Sequence, residues 1–196
     1  MEDLRKFLDK NKDKIHDLLN HMWQTIEQIA LRFENDIPNI DLDNSHGNYI
    51  ELDEGWSESF YANPTVTFPY GEIGYSLDGL YCVLAVETKK LDHEYLTKLI
   101  DLSQESDELK IEIYGGDDCF TTFFNSKEQA DFDDILKAVA NSKEDVLQID
   151  LNIPAVSEED VKELLLSQFV TLYKFLESKN SLAKLPTYLT SDEKEE

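Results

Sequence analysis

The sequence predicts an α+β fold: a mostly antiparallel sheet with a ferredoxin-like βαββαβ segment at residues 80–153, preceded by a β-hairpin and flanked by long N- and C-terminal helices. Three observations predict it. Apolar residues recur at spacings of three and four near both ends of the chain, the period of a helix with one buried stripe. Asp78-Gly79 separates two runs of alternating apolar residues, a strong short-range hairpin signal because a tight turn wants positive φ at its centre. Between residues 80 and 153 the apolar pattern then reads strand, helix, strand, strand, helix, strand, the split βαβ order.

The first helix covers residues 3–34, where Leu4, Phe7, Leu8, Ile15, Leu18, Leu19, Met22, Trp23, Ile26, Ile29, Ala30 and Phe33 make the stripe. Its length, about 45 Å at 1.5 Å per residue, exceeds what a core of this size covers, so part of it is expected to pack on the C-terminal helix or on a second copy. Residues 35–48, rich in Asn, Asp, Pro and Gly, read as a loop. Short strands are expected at 49–53 and 65–68, then the hairpin and a strand at 80–86. A helix from Asp92 to about Gln104 follows, with Asp92 as its cap. Strands at 109–114 and 119–124 flank a Gly-Gly-Asp-Asp turn, and a helix at about 129–140 leads to a strand at 146–153. The last helix begins at Ser157, where "SEED" resembles a capping box, and carries Val161, Leu164, Leu165, Phe169, Leu172 and Leu176 on one face.

A chain of 196 residues with 41% hydrophobic content supports one core, so residues 1–180 are expected to form a single domain and 181–196 a charged, disordered tail. No apolar run approaches the ~20 residues that span a bilayer, and the N-terminal segment is charged and amphipathic, so the expected location is the cytoplasm. Cys82 and Cys119 lie in strand-like apolar runs without metal or disulfide spacing and read as reduced core residues. The charge is lopsided: 42 Asp plus Glu face 18 Lys plus Arg, a net charge of −24. Such a surface repels phosphate backbones and anionic membranes and attracts a basic partner, although solubility alone also accounts for it.

The stretch "IEIYGGDDCFTTFF", residues 111–124, resembles the palm-domain hairpin of nucleotidyl cyclases and related polymerases, where a Gly-Gly-Asp-Asp turn presents carboxylates to metal ions and a nucleotide. The resemblance implies Asp117 and Asp118 as ligands for Mg²⁺ or Mn²⁺, with Gly115 and Gly116 letting backbone approach phosphates and Glu87 as a third carboxylate from the preceding strand. The first strand, "LYCVLAV", carries none of the Asp that those enzymes place there. A tight turn selects the same residues without any chemistry, since glycine supplies positive φ and aspartate bonds its own backbone. A second resemblance covers more of the chain: "PYGEIGYSLDGLYCVLAV", with the Trp-containing helix before it and alternating elements after it, is similar to an uncharacterised family of small archaeal proteins with a domain of unknown function. It implies an α+β fold and no assigned activity.

Other chemistries lack their signatures. His16, His21, His46 and His93 supply no His-x-x-x-His pair, "SHGNY" joins a serine to a histidine only in sequence, and no glycine-rich nucleotide loop is present. The expected function is therefore a non-enzymatic acidic interaction protein of the immunity, inhibitor or adaptor type. It would bind a basic protein partner without cofactor, nucleic acid or membrane, and Trp56, Tyr61 and Tyr70 are the aromatics expected to be buried by that partner. The alternative is a Mg- or Mn-dependent enzyme acting on a nucleotide or phosphate ester through Asp117, Asp118 and Glu87. A homodimer through the first helix is compatible with either.

Overall fold

The two segments with a 3.6-residue apolar period form long helices, α1 (Glu2–Asp36) and α4 (Glu159–Ser178). The computed structural model describes residues 2–37, 40, 42, 65–75, 79–116, 118–123, 132–154, 157 and 159–185. Between the long helices stand β1 (Thr65–Phe68), β2 (Gly71–Tyr75), β3 (Gly79–Glu87), α2 (His93–Ser103), β4 (Lys110–Gly115), β5 (Asp118–Phe123), α3 (Phe132–Asn141) and β6 (Val146–Pro154). A 3-10 turn, Thr88–Lys90, leads from β3 to Asp92, whose carboxylate caps α2 by accepting from the Tyr95 amide at 3.2 Å. Residues 49–53, expected as a strand, lie outside the described residues. Ser157 sits next to α4 but its hydroxyl donates to the Glu108 carboxylate, not to a helix cap.

The strands form one six-stranded sheet in the order β1-β2-β3-β6-β4-β5, antiparallel at every pairing. This is not the ferredoxin-like order. There the third strand of the βαββαβ segment, here β5, separates the first two; in this chain the fourth, β6, does so. β3 and β4 are still parallel, because each is antiparallel to β6, and α2 carries the crossover between them. Strand character explains the exchange. In β6, Leu147, Ile149, Leu151 and Ile153 alternate strictly with polar residues and are 0 to 3% exposed, which suits a strand paired on both sides.

β5 suits an edge. Its pairing with β4 slips between Ile113 and Tyr114, so that Tyr114 pairs with Cys119 and Phe120 is left over. Such a bulge inverts the alternation beyond it. Phe120 turns toward the core, its ring filling the space where a Cβ on Gly115 would stand. Cys119, expected in the core, is exposed, whereas Cys82 is fully buried; neither is in a disulfide.

One face of the sheet joins the buried sides of all four helices in a single apolar cluster. Phe33 of α1 is its hub, with ring centroids 5.2 Å from Phe68, 4.9 Å from Phe169 and 5.7 Å, edge-on, from Tyr173. α1 thus packs on α4 over its C-terminal half, where Arg32 also pairs with Glu163. From Lys10 to His21, every residue whose side chain is described is exposed or half-buried, and Leu18 is 51% exposed.

Residues 181–185, expected as the start of a tail, belong to the fold. They run beside the end of β3 where β2 stops: Glu87 N–H donates to Ser181 O and Ala183 N–H to Ala85 O, each at 2.9 Å, and Leu185 N–H reaches Pro69 O. Ser181 is fully buried; its hydroxyl accepts from Tyr95 Oη at 2.5 Å and donates to Leu176 O at 2.8 Å. Residues 186–196 lie outside the described residues.

This relay sets an order for two substitutions. Tyr95→Phe removes a donor whose acceptor keeps its other bond and should cost about 0.5–1.5 kcal/mol, whereas Ser181→Ala strands a buried hydroxyl and should cost about 1–3 kcal/mol. Urea unfolding of the two variants checks the ranking; equal losses would remove the relay as the anchor of the C-terminal segment.

Candidate functional site

Strict alternation in β6 places Gln148, Asp150 and Asn152 on the face away from the helices, and the same alternation in β4 adds Lys110, Glu112 and Tyr114. The register aligns them. Asp150 pairs with Val83 on one side and Glu112 on the other, and Val83 pairs in turn with Glu72, so three carboxylates share one row across four strands. The next row holds Gly74, Tyr81, Asn152 and Lys110. Tyr81 lies across Gly74, whose missing Cβ would fall 2.2 Å from the phenol, and so reaches Thr65 Oγ1 at 3.1 Å.

Asp150, Glu112, Lys110, Tyr114 and Asn152 line a pocket of about 650 Å³, with Asp107 and Glu108 adding further acidic lining. Glu112 is only 8% exposed and well served: Lys110 Nζ stands 2.6 Å away and the Tyr114 hydroxyl bonds to it. Asp150 is not. Its Oδ1 is buried without a hydrogen-bond partner among the described protein atoms. Burial, then the charges of Glu112 and Glu72, push its carboxyl from the ordinary 3.8 to about 7, with Lys110 pulling the other way. Burial and Glu72 likewise push Tyr81 up to about 12, and burial with the bond to Glu112 raises Tyr114. At neutral pH the Asp150 carboxyl is therefore close to half-protonated, able to donate to an acceptor or to take up a cation.

The residues singled out from sequence distribute differently. Trp56, Tyr61 and Asp117 lie outside the described residues. Asp118 opens β5, exposed and paired with Gly115, after Gly116 takes the turn at φ +59°. Glu87 ends β3 at the same end of the sheet, but the pairing of Glu87 with Val146 puts β6 between it and the turn. Two strand spacings, about 9.6 Å, separate backbones so related, more than one ion bridges directly. Among the described residues no group of three or more His, Cys, Asp or Glu could hold a metal ion. Tyr70 follows β1 and, with Glu87, lines a second cavity of about 890 Å³.

The acidic row was absent from the sequence reading. Its signal was present in "KIEIYG" and "VLQIDLNIP", both of which alternate. What one strand's pattern does not contain is its neighbour, and under a ferredoxin-like order Asp150 and Glu112 would not have been paired.

The fold and pocket define an α+β protein with helices on one side of a six-stranded antiparallel sheet and a half-buried acidic pocket on the other. The chain belongs to a family described as protein of unknown function (DUF3201), whose model matches residues 17–167. Among solved structures it is similar to a conserved hypothetical protein from Pyrococcus furiosus, at 22% identity and a TM-score of 0.58, over 86% of this chain and 98% of that one. That likeness bears on the fold. No curated protein matches the chain. Among the described residues no helix is long and apolar enough to cross a membrane.

Two outcomes follow from this geometry. Because the folded-state value of Asp150 is raised, only the folded chain holds that proton between about pH 4 and pH 7, and stability falls as pH rises through this window. The displacement corresponds to about 4 kcal/mol at most. Asp150→Asn should be more stable than wild type at about pH 8 and little different at about pH 4; the same difference at both would contradict the assignment. For the turn, thermal unfolding with Mn²⁺ should show no shift that Asp117→Asn/Asp118→Asn abolishes, whereas a site occupied at a hundredfold excess over its Kd would add about 2.7 kcal/mol.

Proposed function

We propose that this is a non-enzymatic interaction protein of the cytoplasm, of the immunity, inhibitor or adaptor type, which binds a basic protein partner by taking a lysine or arginine side chain into the pocket of Asp150. The observation that carries this reading is Asp150 on the wall of a pocket of about 650 Å³, with its Oδ1 buried and unpartnered among the described protein atoms. Lys110 is the one basic residue among the described lining residues, and it stands against Glu112. A second cation therefore has a carboxylate waiting for it.

The energetics favour such a guest. Burying a carboxylate is unfavourable unless a partner compensates, and here that cost is incurred on folding, before anything binds. An incoming guanidinium or ammonium gains the attraction of a desolvated carboxylate already fixed on a central strand. Beyond the pocket, a net charge of −24 accelerates encounter with a basic surface. Encounter should slow as salt rises, while the pocket contact, shielded from solvent, should govern dissociation.

The test separates the pocket from diffuse charge. An oligolysine peptide, titrated by calorimetry at physiological salt, should bind saturably, and Asp150→Asn/Glu112→Gln should weaken it about tenfold, a loss of about 1.4 kcal/mol. Asp13→Asn/Asp17→Asn changes net charge equally on an exposed stretch of α1 and should leave affinity nearly unchanged. Equal weakening by both double variants would reduce the acidic surface to non-specific attraction.

A further inference from the structure

We infer that the second cavity, at the end of β3, is a binding site for a small neutral molecule with an apolar body and a hydrogen-bond-donating head, such as an aromatic amide. The site is separate from the acidic pocket and independent of the function proposed for it. Its volume, about 890 Å³, is that of a small-molecule site. Five parts of the chain enclose it: Tyr70 in the turn between β1 and β2, the turn after β3, the C-terminal half of α3, the approach to and start of β6, and the segment 182–184 that the Ser181 relay holds in place. Leu91, Leu136, Val139 and Leu182 supply apolar wall.

Two residues of the lining, Glu87 and Thr88, carry buried polar side-chain atoms. Thr88 Oγ1 is buried with no hydrogen-bond partner among the described protein atoms. The neighbouring Glu87 Oε2 is buried too and receives no hydrogen bond; Lys89 Nζ stands 3.0 Å from it as an ion pair, on a side chain that is 77% exposed. A contact of that kind is worth little and is readily exchanged. Buried polar atoms in native proteins are served by protein, ordered water or ligand. An N–H donor suits the carboxylate, and a hydroxyl beside it can donate to a carbonyl, so the amide group, which has both, matches the pair.

Charge selects the class further. In a chain of net charge −24, this lining carries four carboxylates and three lysines among the described residues, close to balance. A balanced rim gives neither an anion nor a cation the long-range attraction that the rest of the surface offers a cation. A neutral ligand loses nothing by this and gains the apolar wall.

Benzamide is the probe, with benzoate and benzylamine as its charged counterparts. In methyl-resolved NMR titrations of the full chain, benzamide should shift the Leu136, Val139 and Leu182 methyls saturably, with the two charged probes at least several-fold weaker. Leu136→Trp, which fills the cavity, should abolish the shifts, and the near-isosteric Thr88→Val should weaken binding several-fold without disturbing the wall. Absence of saturable shifts, equal binding of all three probes, or benzamide binding indifferent to Thr88→Val would overturn the assignment and leave the polar atoms to ordered water. Thr88→Val decides the matter alone if Leu136→Trp does not fold.

Discussion

Insertion of β6 between β3 and β4 is the constraint on which the rest of the structure depends. β6 is the only strand of the βαββαβ segment that pairs with both of the parallel strands, and its nine residues make the longest ladder with β3. Leu147, Ile149 and Leu151 are fully buried on its helical side, so the strand cannot slip by one residue without moving all of them to the polar side. The same registration fixes what lies opposite: Asp150 must stand between Val83 and Glu112. The apolar core and the acidic pocket are thus two consequences of one register, and changing one would change the other.

Like charges directly opposite one another weaken a sheet, and Asp150 against Glu112 is such a pair. Lys110 and Tyr114, two residues to either side of Glu112 on the same strand, contact Glu112 directly, and Lys110 offsets only part of what raises Asp150. The remaining strain falls on Asp150, where burial does more than the neighbouring charges to hold its proton. An asparagine there would spare the fold this cost. A carboxylate at the centre of a sheet therefore makes more sense as a contact for something outside the chain than as a stabilising element of the fold.

Local features were legible in the sequence to within a few residues. β1 occupies 65–68 as expected, Asp92 caps α2, and both long helices follow their apolar stripes. Each rests on interactions between residues close in sequence. The strand order departs from the expected one because it depends on which of β5 and β6 takes the central position, a competition that neither strand's own pattern decides. Cys119 lies on the other face because one extra residue, Phe120, reverses the alternation, so a period-two pattern continued through the bulge puts Cys119 on the wrong side. Ser181 reads as part of a tail because the chain runs on to the charged end "TSDEKEE", whereas its hydroxyl is held by Tyr95, 86 positions away. Of the expected site residues, Glu87 and Tyr70 both line the second cavity.

On the proposed reading, proton and cation compete for Asp150, which would tie the stability of the chain to its binding. A carboxyl that holds its proton to about pH 7 must release it to pair with a lysine or arginine, so capture of the cation and loss of the proton are one equilibrium. Below neutrality the proton wins and Asp150 itself is neutral; above it the ionised carboxylate destabilises the free fold, a burden that an incoming cation would remove. Binding should then strengthen as pH rises in the range where the free protein weakens. A carboxylate whose titration is not displaced has no such coupling, so on this reading Asp150, raised by burial and by Glu112 and Glu72, is the position that would distinguish a specific partner from a merely basic one.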